Sequence, residues 1–186
     1  MDQEARFRSL YEPQYPDLLA YFLRRLKHED AVEAAADVFL AAWRRIDHAP
    51  DGQEARLWLF GIARNVLRNR QRTNRRVRRL LVRMATVPVN PPQNPEVLVV
   101  KRAQNCEVVA ALDRLRSIDR EVIQLRLWEE ASYDDIAVLL GCSRHAAEQR
   151  YAKALRRLRS VYHQAGHEWT SGTQQTLQTQ EWTREA

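Results

Sequence analysis

The sequence predicts an all-α fold made of two small helical domains joined by a proline-rich linker. Apolar residues form 45% of the 186-residue chain and recur at the 3.6-residue spacing of helices that bury one face. Alternating strand patterns are hard to find, and glycine is scarce. Segment 86–96 (TVPVNPPQNPE) holds four prolines and no amphipathic pattern, so we expect an extended spacer there. The expected organisation is a domain at 1–84, a linker at 85–98, a second domain at 99–163 and a flexible polar tail at 164–186.

The first domain is predicted to consist of four helices. A short helix around Leu10 precedes a second helix at 15–26, and Asp30 is a candidate N-cap for the third. The composition of 47–53 (DHAPDGQ) indicates a turn. A long helix is then expected from residue 54 to 84, with an apolar stripe that fades near Arg70, where charge takes over.

The second half of that long helix is strongly basic. Its twenty positions from 64 to 83 hold nine arginines and no acid, and such a run repels itself unless a polyanion is nearby. The net charge of +6 also favours a polyanionic partner. A basic helix that serves only solubility is the alternative. The arginines are Arg64, Arg68, Arg70, Arg72, Arg75, Arg76, Arg78, Arg79 and Arg83.

The second domain is predicted to begin with a helix at 97–115, followed by a helix with Ser117 as its N-cap. After Tyr162 the chain is rich in Gln and Thr, a composition that is expected to bury little and to remain frayed. A second interpretation of this tail is that its large apolar side chains dock on a partner. Those side chains are Trp169, Leu177 and Trp182.

Segment 132–158 (SYDDIAVLLGCSRHAAEQRYAKALRRL) predicts two helices joined by a tight turn. Ser132 and Asp135 form a capping-box pattern at the start of the first helix. Gly141 suits the left-handed conformation that ends a helix, and Ser143 is a candidate N-cap for the next one. The second helix has an apolar face and a basic, amide-bearing face, which is typical of a helix-turn-helix that binds DNA. An ordinary helical hairpin with a solvated charged face is the alternative.

Several function classes find no support in the sequence. It has no apolar run of 18 residues and no signal peptide, so we expect a cytoplasmic protein without a membrane partner. Cys106 and Cys142 are far apart and are expected to be reduced thiols. His163 and His167 have the spacing of one helix face but no third ligand near in sequence, and no nucleotide-binding glycine loop occurs. We therefore expect no metal, no cofactor and no enzymatic activity.

Three stretches in series resemble bacterial RNA polymerase sigma factors of the extracytoplasmic-function (ECF) group of the sigma-70 family. Segment 30–46 (DAVEAAADVFLAAWRRI) resembles the second conserved region of that family. Segment 55–76 (ARLWLFGIARNVLRNRQRTNRR) resembles the part that opens and recognises the −10 promoter element. Segment 115–159 (LRSIDREVIQLRLWEEASYDDIAVLLGCSRHAAEQRYAKALRRLR) resembles region four, which recognises the −35 element. The resemblance implies a dissociable subunit that gives core RNA polymerase its promoter specificity. An autonomous helix-turn-helix regulator is the alternative.

The resemblance also implies roles for particular residues. The candidates for the −35 element are Arg144, His145, Glu148, Gln149, Arg150, Lys153, Arg156 and Arg157, of which the last two are expected to position phosphates. The candidates for the −10 element and its melted strand are Asn65, Asn69, Arg64, Arg68 and Arg72, and the loop at 47–53 matches the family's base-capturing loop. The candidates for polymerase binding are Glu33, Asp37 and Arg44.

The implied partners are core RNA polymerase, through the clamp helices and flap of its large subunits, and promoter DNA. The DNA is expected to be double-stranded at −35 and melted at −10. An inhibitory anti-sigma protein is a further candidate partner.

The chain departs from the family pattern at positions that bear on these roles. Ala36 stands where the family usually has Gln on the polymerase-binding helix, and Ala34 and Ala35 replace a Leu-Val pair. We expect polymerase affinity to be weaker by about one hydrogen bond, on the order of 1 kcal/mol. Glu148 stands where the family often has Lys or Arg, and an acid there is expected to contact a cytosine or to reject other bases.

Overall fold

The computed structural model describes residues 3–84, 102–171, 173 and 177. These residues form seven α-helices and no strand, which confirms the predicted all-α class. The chain divides into two compact units after Pro95, and the predicted linker at 85–98 lies outside the described residues. The helices are α1 (Gln3–Leu23), α2 (His28–Trp43), α3 (Gln53–Met84), α4 (Arg102–Arg114), α5 (Ser117–Leu127), α6 (Tyr133–Leu140) and α7 (Arg144–Gln164).

Helix α1 is continuous, so the predicted break into a short helix and a second one at 15–26 is wrong. Pro13 and Pro16 both lie inside it, and each lacks the N–H that would continue the helical hydrogen bonding, a loss of about 3 kcal/mol per proline in an isolated helix. The helix persists because its buried face continues past the prolines. Leu10, Leu18 and Phe22 are all buried on that face, and their packing offsets the missing bonds.

Helix α2 begins before the predicted N-cap. The N-cap is Lys27, which makes no side-chain capping bond, and Asp30 lies in the first turn, where the helix dipole favours a carboxylate. Small side chains dominate the buried face of α2, so α1 and α3 can pack closely against it. That face consists of Ala31, Ala34, Ala35, Val38, Phe39 and Ala42.

The turn and the long helix of the first unit agree with the sequence-based expectation. A 3-10 turn at Ile46–His48 overlaps the start of the turn predicted at 47–53, and α3 begins at Gln53. Leu59 and Ala63 are fully buried, whereas exposed side chains dominate from Arg68 onward. The apolar stripe therefore ends about where the pattern predicted, and the second half of α3 leaves the core.

The second unit packs α4, α5 and α6 against α7. Its core includes Leu112, Ile123, Ile136 and Leu158, each 2% exposed or less. The predicted N-cap at Ser117 is wrong by one position: Arg116 is the N-cap of α5, without a side-chain bond. Ser117 is therefore the first helical residue.

The capping pattern of the helix-turn-helix is confirmed in detail. The Ser132 hydroxyl accepts a hydrogen bond from the Asp135 N–H at 3.1 Å, and the Asp135 carboxylate accepts one from the Ser132 N–H at 2.9 Å. Gly141 ends α6 in the left-handed conformation, with φ of 63°. The Ser143 hydroxyl then accepts from the Ala146 N–H at 3.2 Å and starts α7. These local bonds fix the corner between the two helices.

The segment after α7 packs on the second unit, which corrects the expectation that the tail buries little. The Trp169 ring meets the Tyr162 ring edge to face at 5.5 Å, and the Arg159 guanidinium lies 5.3 Å from the Trp169 ring centroid. Leu177 is 2% exposed and belongs to the core of the second unit. Trp169 and Leu177 therefore dock on their own domain, and Trp182 lies outside the described residues.

No helix in the described parts of the chain is long and apolar enough to cross a lipid bilayer.

The burial of Leu177 generates a stability prediction. Leu177→Ala removes a buried side chain from the core of the second unit, and we expect the free energy of unfolding of that unit to fall by about 3 kcal/mol. Urea denaturation followed by circular dichroism measures the change. Glu168→Ala, at an exposed position of the same segment, is the matched control and should have little effect. Equal stability of both variants and the parent would contradict the packing described here.

Candidate nucleic-acid interfaces

Helix α7 presents most of the predicted −35 candidates on one exposed face. The side chains of Arg144, His145, Gln149, Arg150, Lys153 and Arg156 are exposed, and Glu148 is half-buried among them. The opposite face of α7 is buried at Ala147, Ala154 and Leu158. The core side thus fixes the rotation of the helix about its axis, and the polar face is left open to a ligand.

Arg144 is held at the corner between α6 and α7. Its guanidinium lies 2.8 Å from the Asp134 carboxylate and 3.2 Å from that of Glu148, and these contacts raise the pKa of Arg144, with the Glu148 hydrogen bond contributing most. His145 is near the same carboxylate, with its Nδ1 atom 4.0 Å from Glu148. Two acids therefore surround the first turn of α7, and the local positive charge is partly neutralised.

The cations further along α7 differ from Arg144. Arg150, Lys153 and Arg156 are exposed, and among residues 102–171 none of them has a described ion-pair partner. They recur at three-residue intervals, so they follow one stripe of the helix. The cations of this stripe are therefore available to bind phosphates or base edges.

Arg157 has a different environment from its neighbour Arg156. Its Nη1 atom donates to the Asp119 carboxylate at 2.7 Å, and Arg116 donates to the same carboxylate at 3.0 Å. The Asp119 side chain is only 8% exposed, so this ion pair ties α5 to α7 inside the unit. The geometry gives Arg157 a structural role, and a phosphate contact by this residue stays a prediction.

The exposed half of α3 carries the −10 candidates. Asn65 and Asn69 are exposed and one turn apart, and Arg68 and Arg72 are exposed beside them, whereas Arg64 is half-buried. Arg75 and Arg76 continue the exposed run, and within residues 3–84 no ion pair is described for them or for Arg68 and Arg72. The side chains of Arg78, Arg79 and Arg83 lie outside the described set.

Arg70 corrects the expectation that all these arginines lack neutralising partners. Its guanidinium lies 2.7 Å from the Asp37 carboxylate and 3.3 Å from that of Glu33, and it also donates to the Asp30 carbonyl at 3.5 Å. The hydrogen bond to Asp37 is the main cause of a raised pKa for Arg70. The two predicted polymerase-binding acids are therefore paired with α3 in the free chain, and Arg44 lies exposed at the end of α2.

The loop after the 3-10 turn is braced by residues that sequence analysis missed. Arg6 donates to the Ala49 carbonyl and forms an ion pair with Asp51 at 3.3 Å, while Gln3 donates to Asp47 at 3.1 Å. These partners lie more than 40 residues apart in sequence, so no local sequence pattern predicts the contacts between them. The start of α1 thereby positions the predicted base-capturing loop.

In the described parts of the chain, the side chains that could bind a metal or form a disulfide include histidines and cysteine. No group of three or more His, Cys, Asp or Glu side chains is arranged there to hold a metal ion. The Nδ1 atom of His167 lies 3.2 Å from the Glu107 carboxylate, and the His167 ring is tilted against the Tyr162 ring at 5.0 Å between centroids. Cys142 is a half-buried free thiol.

Comparisons with known proteins match both units. The Sigma-70 region 2 model matches residues 10–77, which span most of α1 to α3, and the Sigma-70 region 4 model matches residues 111–160, which include α5, α6 and most of α7. The RNA polymerase sigma factor NccH of Alcaligenes xylosoxydans xylosoxydans is 31% identical over 137 residues, which cover 71% of this chain and 73% of NccH.

Two further comparisons cover more of the chain. The ECF RNA polymerase sigma factor SigL of Mycobacterium tuberculosis is 28% identical over 169 residues, covering 88% of this chain and 93% of SigL. Among solved structures, the sigma factor RpoE in complex with the anti-sigma factor NepR from Bartonella quintana matches with a TM-score of 0.61 and 25% identity. That match covers 83% of this chain and 95% of the matched chain.

The two environments of neighbouring arginines on α7 generate a prediction. Arg157→Ala leaves the buried Asp119 carboxylate with Arg116 alone, so we expect the free energy of unfolding of the second unit to fall by about 2 kcal/mol. Arg156→Ala, at the adjacent exposed position, should change it by less than about 0.5 kcal/mol. Chemical denaturation of the two variants provides the measurement. A stability loss of the same size in both would contradict the structural role given to Arg157.

Proposed function

The chain belongs to the ECF group of sigma-70 RNA polymerase sigma factors, and on that premise we propose how its residues divide promoter recognition. It is a transcription initiation factor that binds core RNA polymerase, recognises the −35 and −10 promoter elements and promotes DNA opening. The proposal concerns which side chains perform these steps. The observation that best supports this proposal is the exposed polar face of α7. The buried opposite face of the helix fixes its rotation about its axis.

We assign recognition of the −35 element to α7 in the major groove. Arg150 and Lys153 suit the O6 and N7 acceptors of guanine, and Gln149 suits the N6 and N7 edge of adenine. Arg156 lies further along the same stripe and positions a phosphate. Glu148 accepts from a cytosine amino group, and its bond to Arg144 orients both side chains before DNA arrives. His145 is at the exposed N-terminal end of this face.

We assign the melted −10 strand to the exposed half of α3. Asn65 and Asn69 offer amide donors and acceptors to the edge of an unstacked base. Arg68 and Arg72 neutralise the adjoining phosphates, with Arg64 at the edge of the same surface. Strand opening needs no hydrolysis in this scheme, because binding of the separated strand offsets an unstacking cost of a few kcal/mol per base step.

We assign polymerase binding to the outer face of α2. Glu33 and Asp37 are exposed acids beside three exposed apolar side chains, Val32, Leu40 and Trp43, so the face combines charge with apolar area. Ala36 lies exposed between the two acids, and its side chain cannot form a hydrogen bond. We therefore still expect polymerase affinity to be weaker by about 1 kcal/mol. Arg44 borders this face, and the clamp helices and flap of core polymerase are the proposed contacts.

The remaining assignments complete the proposal. Region 2 occupies 1–84 and region 4 occupies 99–163, with a proline-rich linker at 85–98. The segment from 164 onward adds packing to region 4 through Leu177. The chain acts in the cytoplasm without a cofactor or an enzymatic activity of its own. The similarity to RpoE, whose structure holds the anti-sigma factor NepR, supports an anti-sigma protein as a further partner.

Transcription with purified components tests the proposal. We expect the chain to co-purify with core RNA polymerase and to direct it to start at particular promoters, as mapped from transcript ends on a genomic promoter library. The chain alone should be monomeric and should bind duplex DNA weakly. A stable dimer that binds a palindromic operator without polymerase would instead identify an autonomous regulator.

The assignment of Asn65 predicts a kinetic effect. Asn65→Ala removes one amide contact to the unstacked base, so the holoenzyme should open promoters about tenfold more slowly. Binding to duplex DNA upstream of the melted region should change less. Fluorescence of a base analogue in the −10 element follows opening, and Gln71→Ala at a nearby exposed amide is the control. Equal losses in opening and duplex binding would contradict the role given to Asn65.

The assignment of Arg150 predicts a loss confined to the upstream element. Arg150→Ala should weaken holoenzyme binding to the −35 duplex by about 1–3 kcal/mol and relax its sequence preference. Association with core polymerase should be unchanged, and titration of labelled polymerase measures it separately. His163→Ala, at an exposed position further along α7, is the control. A loss of polymerase association in Arg150→Ala would show that the residue is misassigned.

A further inference from the structure

The segment that follows α7 is folded onto the second unit. Its described residues, 165–171, 173 and 177, are called the strap below. The Sigma-70 region 4 model ends at residue 160, so the strap lies beyond the part of the chain that the family model matches. Leu177 is nevertheless 2% exposed and belongs to the core of the unit. The strap is therefore an addition to the region 4 fold that uses the same core.

The strap docks where α4 and the end of α7 meet. The Tyr162 hydroxyl donates to the Glu107 carboxylate at 3.4 Å, and the Nδ1 atom of His167 lies 3.2 Å from the same carboxylate. The Trp169 ring packs edge to face on the Tyr162 ring at 5.5 Å. Glu107 of α4 thus contacts both α7 and the strap, and the strap covers Tyr162.

The strap also contains local order of its own. The Thr170 N–H donates to the Thr173 hydroxyl at 3.3 Å, and the Thr173 N–H donates to the Thr170 hydroxyl at 3.2 Å, as in a capping box. Thr173 and Leu177 are helical and four residues apart, so their side chains share one face. Both are buried. The reciprocal bonds therefore start a helical turn that directs Leu177 into the core.

The strap lies on the side of α7 that faces away from the proposed DNA contacts. Tyr162 follows Lys153 by nine residues, and at about 100° per residue the two side chains point to opposite sides of the helix. Arg150, Lys153 and Arg156 accordingly stay exposed while the strap is docked. In a promoter-bound holoenzyme, polymerase has to approach region 4 from a side that the DNA leaves open. The strap covers such a side.

Docking of the strap depends on two large apolar side chains. Leu177 is buried, and Trp169 is half-buried with the Arg159 guanidinium 5.3 Å from its ring centroid. Docking is opposed by the conformational entropy that each ordered residue of the segment loses. A partner that offers its own apolar side chains to this face can therefore displace the strap, because the released segment regains that entropy.

We propose that the strap and core RNA polymerase compete for one face of region 4, the face formed by Tyr162 and the adjoining surface of α4. In the free chain the strap occupies this face and lowers the affinity for polymerase. Binding of polymerase displaces the strap, whereas binding of DNA to the opposite side of α7 leaves it docked. This inference rests on the proposed function, because the competitor is core polymerase.

The affinity for core polymerase tests this competition. Trp169→Ala removes the ring that packs on Tyr162, so the variant should bind core polymerase about tenfold more tightly than the parent. Glu168→Ala, at an exposed position of the same segment, is the matched control and should keep the parent's affinity. Titration of labelled polymerase gives the affinities, and circular dichroism melting establishes that both variants are folded. A strap that only stabilises the unit would give no gain, so unchanged or weaker binding of Trp169→Ala would overturn the proposal.

Hydrogen exchange of the parent chain provides an independent measurement. The Thr173 amide, which is bonded to the Thr170 hydroxyl, should exchange slowly in the free chain and at least tenfold faster when core polymerase is bound. A saturating −35 duplex without polymerase should leave its exchange unchanged. Continued protection in the holoenzyme would overturn the displacement, and loss of protection with the duplex alone would identify DNA as the competitor. Failure of the parent and both variants to bind any cognate polymerase would instead contradict the proposed function and leave the strap without a competitor.

Discussion

Repulsion between like charges constrains this fold. Its 30 basic residues outnumber its 24 acidic residues and cluster on a few helices, so the structure has to limit the repulsion among them. The fold divides its arginines into two populations. Arg70 and Arg157 are tied to carboxylates at 2.7 Å and join elements far apart in sequence. Arg72 and Arg150 lie exposed on the outer faces of α3 and α7. The first population joins helices within each unit, and the second is available to a polyanion.

This division explains how each unit can be rigid and still bind DNA. In the second unit, the buried Asp119 carboxylate fixes α5 against α7. The left-handed Gly141, the Ser143 cap and the Arg144–Asp134 ion pair fix the corner between α6 and α7. The exposed face of α7 is thereby held in one orientation without using its own cations. In the first unit, Arg70 joins α3 to the acids of α2, so the proposed polymerase and DNA surfaces share a single ion-pair network. Binding of one partner at this network is expected to influence the other.

Local signals predicted the helix-turn-helix because its geometry is specified within a few residues. The capping box, the left-handed Gly141 and the Ser143 cap each depend on neighbours along the chain, and all are confirmed. Predictions from local sequence patterns were wrong where tertiary packing determines the structure. The apolar pattern suggested two helices at the start of the chain, yet the buried Leu10 and Leu18 lie on one continuous helix that contains Pro13 and Pro16. The polar tail suggested disorder, yet one leucine in it reaches the core.

In the candidate sites too, local sequence could not predict features that depend on contacts between distant segments. Sequence spacing identified which α3 and α7 residues are exposed, because helical periodicity assigns faces. It did not separate Arg157 from Arg156, or Arg70 from Arg72, because their partners lie 33 to 38 residues away. The bracing of the 47–53 loop by Arg6 was missed for the same reason. Ion pairs between distant segments need coordinates, and they decide which cations remain for a ligand.

The salt dependence of DNA binding tests the division of arginines most directly. The affinity of the holoenzyme for the −10 single strand would be measured over a range of salt concentrations. The parent would be compared with a variant in which Arg68, Arg72, Arg75 and Arg76 are all Gln. If each arginine contacts one phosphate, the slope of log affinity against log salt should become shallower by about 3. An unchanged slope would show that these exposed cations do not contact the strand, and it would contradict the account.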